Sequence, residues 1–233
     1  MSRLILIFLS VLIGAAASAQ EAQPFKLTLG YYSYPHSHGE DLNLRYRRGD
    51  SNLWLGYYRD KDFGAQWRSG FDSSFDLSDW ASLQPSLQLA SQGFVGGSLN
   101  LQLGQTIYGV IGLGRTNLRP YFNLNFDPND AVTLGLGWRG EQGRNVALTL
   151  VADDRLHTGQ KHLHLSGRWP LGDGQRLTLD LLRKQGQGDA GQVQAWGWSA
   201  GYDWRRWFVR LAHDPKQNFG SDDVTRLALG MRF

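Results

Sequence analysis

The sequence predicts an all-β fold, an antiparallel up-and-down transmembrane β-barrel of about 12 strands, with 14 and 10 as the alternative counts. Three observations carry this. Apolar and polar residues alternate with period 2 along most of the chain. No run after the first 20 residues is apolar and long enough for a membrane helix. The 233 residues include 29 glycines and 29 aromatic residues of the Phe, Trp and Tyr types, but no cysteine. A soluble domain of this size gathers its apolar residues into a core. Here they are spread thin, as in a barrel whose apolar face turns outward to lipid and whose interior is polar.

The N-terminus reads as an export signal. Arg3 is a short basic region, residues 4–13 form an apolar stretch, and Ala17-Ser18-Ala19 is a small-x-small cleavage site. Ten residues span about 15 Å as a helix, about half a bilayer core. Residues 1–19 are therefore expected to be removed, leaving a single barrel domain over 20–233. With Arg3 gone, 23 basic residues face 21 acidic ones. That balance is too small to imply nucleic-acid binding. The lack of cysteine excludes disulfides and thiolate chemistry.

The strands follow in order. Leu42, Leu44 and Tyr46 alternate with Asn43, Arg45 and Arg47. Leu83 to Leu89, Leu99 to Leu103, Val132 to Trp138, Leu163 to Gly167, Leu177 to Leu181 and Trp196 to Tyr202 repeat the pattern. Phe122, Leu124 and Phe126, opposed by Tyr121, Asn123 and Asn125, predict a further strand. The runs 63–75 and 104–114 break the alternation and are the doubtful members. Between the runs lie turn sequences: Gly49-Asp50-Ser51, Asp127-Pro128-Asn129-Asp130, Gly140-Glu141-Gln142-Gly143 and Gly172-Asp173-Gly174. Short strands joined by tight turns make a meander. A soluble sandwich would show the same alternation. The export signal, the chain end and the tryptophans separate the two.

In the last ten residues Leu227, Leu229, Met231 and Phe233 share one face, and Arg226, Ala228, Gly230 and Arg232 the other. This resembles the closing strand of Gram-negative outer-membrane β-barrels, in which a terminal Phe is the assembly signal. The resemblance implies an outer-membrane location and both chain ends in the periplasm. Its expected partners are outer-membrane lipid and lipopolysaccharide, and the barrel-assembly machinery through Phe233. Counting strands back from the end places Trp138, Trp169, Trp204 and Trp207 at the periplasmic interface, where an indole suits the headgroup level. It makes 184–192 and 214–223 extracellular connections.

Two constellations bear on function. On the inward phase lie Arg45, Arg47, Arg139, Arg168, Arg210 and Arg226, with Arg232, against few acids such as Asp180. Guanidinium groups at a water-filled wall hold carboxylates bidentately, so this lumen would favour anionic solutes. An arginine–carboxylate network that fills a small barrel for stability is the plainer reading. Chain size and strand number are similar to those of the small acidic-sugar channels, such as the oligogalacturonate-specific porins, and 119–139 is similar in rhythm to a central hairpin of that family. No residue motif carries the family's binding residues over. The reading is a small channel or binding barrel for a polar solute, with an anion favoured, rather than an enzyme.

Six histidines form the second constellation. His164 and Ser166 share a strand face at i, i+2, and Asp153 can lie on the neighbouring strand. These would be the nucleophile, base and orienting group of an outer-leaflet lipid hydrolase of the lipid A deacylase or phospholipase type. The His-Ser-Asn run of those enzymes is absent. A structural or secretion-partner barrel with a plugged lumen is the third class. His36 and His38, in an exposed connection, read as solvated. No metal and no cofactor is expected.

Overall fold

The protein is described from a computed structural model covering residues 23–124 and 127–233. The expected signal, 1–19, lies outside the described residues. Period-2 segments become strands β1 (Phe25–Ser33), β2 (His38–Arg48), β3 (Ser51–Asp60), β4 (Gly64–Asp72), β5 (Phe75–Ser78), β6 (Ala81–Ala90), β7 (Phe94–Gly104) and β8 (Ile107–Thr116). They continue with β9 (Ala131–Arg139), β10 (Asn145–Asp153), β11 (Lys161–Gly172), β12 (Gln175–Gly188), β13 (Gly191–Trp204), β14 (Trp207–Asp214) and β15 (Val224–Arg232).

Sequence neighbours pair antiparallel around the sheet, and β1 pairs with β15 from Lys26↔Arg232 to Ser33↔Thr225. The remaining gap is closed by β4, paired with β6 from Arg68↔Ala90 to Asp72↔Ser86. Short β5 continues the same stave and pairs with the start of β6. The result is a closed barrel of 14 strand positions plus β5. The expectation of about 12 is corrected to its alternative, 14. The two doubtful runs are both staves. In β8 the inward residues include Gly112 and Gly114, which erases the polar half of the alternation. A Cβ on Gly114 would lie 2.6 Å from the Asn129 carbonyl oxygen, so this glycine makes room for a loop inside the barrel, while Gly112 makes room for the Asn100 side chain. In β4 the outward face carries Ala65 and Ser69 beside Trp67 and Phe71, which dilutes the apolar half.

The stretch 121–126 is not a strand over its described residues. It belongs to the connection 117–130 between β8 and β9; Asn125 and Phe126 lie outside the described residues. The 184–192 segment is also not a long connection. β12 runs to Gly188 and β13 begins at Gly191, so two long strands meet in a tight turn. The connection 215–223 after β14 is long, as expected.

The barrel is inside out. Leu29, Leu53, Leu136, Leu165 and Leu229 are each at least half exposed. Asp41, Gln66, Arg68, His162, Lys184 and Asp214 are buried. Burying polar groups while exposing leucines is costly in water and favourable when the outside is hydrocarbon and the inside is hydrated. Exposed Trp80, Trp138, Trp204 and Trp207 ring the end that carries both chain termini. Trp169 also lies toward this end but is only partly exposed. Tyr31, Trp67 and Trp196 lie on the outer surface toward the opposite end. Arginines on the lipid face would cost about 2–4 kcal/mol each near the midplane, which fixes the register of every strand that carries one.

Candidate functional site: a basic lumen crossed by a loop

The connection 117–130 folds inward. Asn117 anchors its start through Nδ2 to the Gly93 carbonyl (2.7 Å). Asp130 anchors its end, accepting from Thr116 N and Oγ1 (3.1 and 2.9 Å) and from Arg155. Between these anchors the described residues reach across the interior. On β4, the Gln66 side chain donates to the Phe122 carbonyl and accepts from its N–H, both at 3.0 Å. Gln66 acts as a substitute strand edge, satisfying backbone that has no ladder partner. The Phe122 ring stacks on Tyr58 at 4.9 Å, and Tyr121 stacks on Phe94 at 4.2 Å. Leu124 is buried with Tyr32, Tyr58 and Val224. Asn218, from the 215–223 connection, donates to the Asn123 carbonyl (2.9 Å). On the far wall, Asp127 meets His162 and His164.

Tyr34, in the β1–β2 connection, shares a hydrogen bond with the Tyr58 hydroxyl (2.9 Å). Burial pushes its phenol up to about 12, so it stays neutral and this aromatic cluster carries no charge.

Of the cavities that adjoin the loop, two are rich in basic residues. The larger, of about 550 Å³, is bounded by Asp127, His164, Arg168, Arg176, Arg210 and Arg226, among others. The smaller, of about 220 Å³, is lined by Lys26, Arg45, Arg68 and Leu124. Arg210 and Arg226 line both, so the two share a wall. The acids that line them are already paired: Asp127 and Asp180 with His164 (2.9 Å each), Asp214 with Lys184, and Asp41 with Arg68 (2.6 Å); Asp203, outside both linings, pairs with Arg176 (2.8 Å) and Arg232 (2.7 Å). Among the described residues, no carboxylate lies within 4.0 Å of the Arg168, Arg210 or Arg226 guanidinium. Arg226 sits over the Tyr32 ring (5.1 Å), and Arg210 over Phe208 (5.4 Å). The Arg226 Nε is buried without a hydrogen-bond partner among the described residues. Ring faces hold guanidinium planes in place while leaving their N–H edges available.

No protein-family model and no curated protein matches the sequence. Solved structures match the shape. A KdgM porin superposes with a TM-score of 0.51 at 10% identity, over 89% of this chain and 99% of that one. The outer membrane protein Omp33 of Acinetobacter baumannii superposes with a TM-score of 0.57 at 8% identity, over 90% and 98% of the two chains. The chain has the fold of a porin barrel. At these identities the likeness is one of fold.

Within the porin fold, the arginines singled out from the sequence fall in three places. Arg45, Arg168, Arg210 and Arg226 line the interior cavities. Arg139 lies over the Tyr108 ring (5.1 Å) and borders a separate hollow of about 740 Å³ toward the terminal end. Arg47 is at the rim, donating to the Gly49 carbonyl (2.9 Å). The sequence reading missed Arg176, Lys26 and Arg68; the inward phase of β1 and β12 was the available signal for Lys26 and Arg176, whereas the ragged alternation of β4 hid Arg68.

The proposed hydrolase residues are not assembled into a triad. His164 meets Asp180 through Nδ1 (2.9 Å) and Asp127 through Nε2 (2.9 Å), so neither ring nitrogen is left for the Ser166 hydroxyl. Asp153 is on the neighbouring strand as expected, but its carboxylate accepts from Thr158 Oγ1 (2.7 Å), Thr158 N (2.8 Å) and Leu156 N (3.1 Å). It caps the 154–160 connection.

Proposed function

We propose that the mature chain, 20–233, resides in the outer membrane of a Gram-negative bacterium as a narrow channel for small polar solutes, with anions favoured. The chain termini then lie in the periplasm, and the 117–130 loop enters the lumen from the outer side. The observation that carries this reading is the trio Arg168, Arg210 and Arg226. Their guanidinium groups face a cavity of about 550 Å³ with no carboxylate partner among the described residues. A purely structural network would pair its charges, as Asp203 does with Arg176 and Arg232. Unpaired cations at a hydrated wall raise the local anion concentration and hold carboxylates bidentately. The porin fold and the apolar outer belt support the location.

The test is solute uptake. Proteoliposomes containing the folded barrel should swell faster in galacturonate than in galactose, two sugars of similar size that differ in a carboxylate. An Arg168→Gln, Arg210→Gln, Arg226→Gln variant should lose that difference. Equal rates in the wild type would refute the anion preference.

A further inference from the structure

We propose that Asp127, His162 and His164 form a site for a divalent transition-metal ion of the Zn²⁺ class, and that the metal clasps the lumen loop to the β11 wall. His162 and His164 stand at i, i+2 on one strand, so both rings project from the same, inward face. Asp127 approaches from the loop. Its Oδ1 lies 2.8 Å from His162 Nδ1 and 2.9 Å from His164 Nε2. The three potential ligand atoms all lie within 4.8 Å of one another.

The donor set is selective. Two imidazole nitrogens and one carboxylate oxygen are the ligands of three-residue zinc sites, in which a fourth position stays open to water or solute. Calcium and magnesium demand more oxygen ligands than this cluster offers. Imidazole selects the zinc, copper and nickel group instead.

The surroundings of His164 are those a metal-binding histidine needs. The remaining nitrogen of His164, Nδ1, lies 2.9 and 3.2 Å from the two Asp180 oxygens. That contact orients the ring and directs Nε2 at Asp127, the carboxylate–histidine–metal arrangement. The His162 ring is fully buried and is held by stacking on Phe219 at 5.3 Å, its Nε2 having no hydrogen-bond partner among the described residues. Lys184, its register partner on β12, is paired with Asp214, which offsets that ammonium beside the cluster. Without a metal, one carboxylate oxygen serves two imidazoles, and His164 is held between two acids. A metal in place of the shared protons satisfies all three first ligands together.

The consequence is mechanical. Asp127 is the loop's attachment to the wall opposite Gln66, so loading the site ties the loop across the lumen at both sides. This inference does not require the barrel to conduct, and its test is a binding measurement. Zn²⁺ titrated calorimetrically into the detergent-folded wild type should bind one ion per chain. A His162→Ala, His164→Ala variant should lose that binding. Asp180→Asn, which leaves all three ligands, should weaken it about 10–100-fold. In the wild type, Zn²⁺ should slow amide hydrogen exchange across 117–130 at least tenfold, and in the double variant it should not. Absence of stoichiometric binding to the wild type, or equal binding to the double variant, overturns the site. Binding without slower exchange overturns the clasp.

Discussion

Inward positions of this barrel leave little room, and Gly230 shows the constraint at a single residue. A Cβ there would collide with the Leu27 carbonyl oxygen and the Phe208 ring. Phe208 in turn carries Lys26, Arg210 and Arg232 over its ring, at 4.6, 5.4 and 5.3 Å. The missing side chain of Gly230 therefore lets one aromatic ring organise three cations. Gly230→Val is expected to displace Phe208 and reduce the folded fraction, seen as loss of the slow heat-dependent band shift in detergent gels. Unchanged folding would mean that β15 can shift without cost. The arginines were legible one by one because each alternates with an apolar neighbour. Their pairing was not. Nothing in the alternation tells that Arg176 and Arg232 share Asp203 while Arg210 does not.

At the scale of the element, the lumen loop sets how open the barrel is. Its apolar residues Phe122 and Leu124 sit at i, i+2, as in a strand, and so read as one. They serve instead to dock the loop against Tyr58, Tyr32 and Val224 inside the barrel. Period 2 reports that alternate side chains face one way; it does not report whether a neighbouring strand exists. Gly114 of β8 was the complementary trace, since a small inward residue clears space for the loop backbone at Asn129. The contact of Asp127 with His162 and His164 joins residues 35 and 37 apart in sequence, and no local pattern encodes it. Leu124→Ala removes the buried anchor of the loop and should cost about 2–5 kcal/mol of docking. Single-channel current should then become noisier. Replacing 119–129 by a short Gly-Ser turn should raise conductance severalfold with the wall intact. A shortened barrel that conducts no better than the wild type would show that the constriction lies elsewhere.

At the scale of the whole molecule, closure depends on β1 meeting β15. Phe233 joins that seam through both backbone groups, Phe25 N to Phe233 O (2.9 Å) and Phe233 N to Phe25 O (3.0 Å), and its ring stacks on Phe25 at 5.6 Å. Deleting Phe233 removes two hydrogen bonds and one rim aromatic. The expected result is less assembled barrel in the outer-membrane fraction; an unchanged amount would count against the terminal residue as an assembly signal. The architecture was readable from the sequence because lipid outside and water inside impose one rule on every stave. The stave count was harder, since β4 carries Ala65 and Ser69 on its outward face and β8 carries Gly112 and Gly114 on its inward face.

The central claim is that unpaired arginines make the lumen favour anions. The most direct measurement is the reversal potential of the purified barrel in a planar bilayer under a KCl gradient. The account predicts a potential on the chloride-selective side. It should shrink as total salt rises and the Debye length shortens, and shrink further in the Arg168→Gln, Arg210→Gln, Arg226→Gln variant. A cation-selective wild type, or a potential that the triple substitution leaves unchanged, would contradict it.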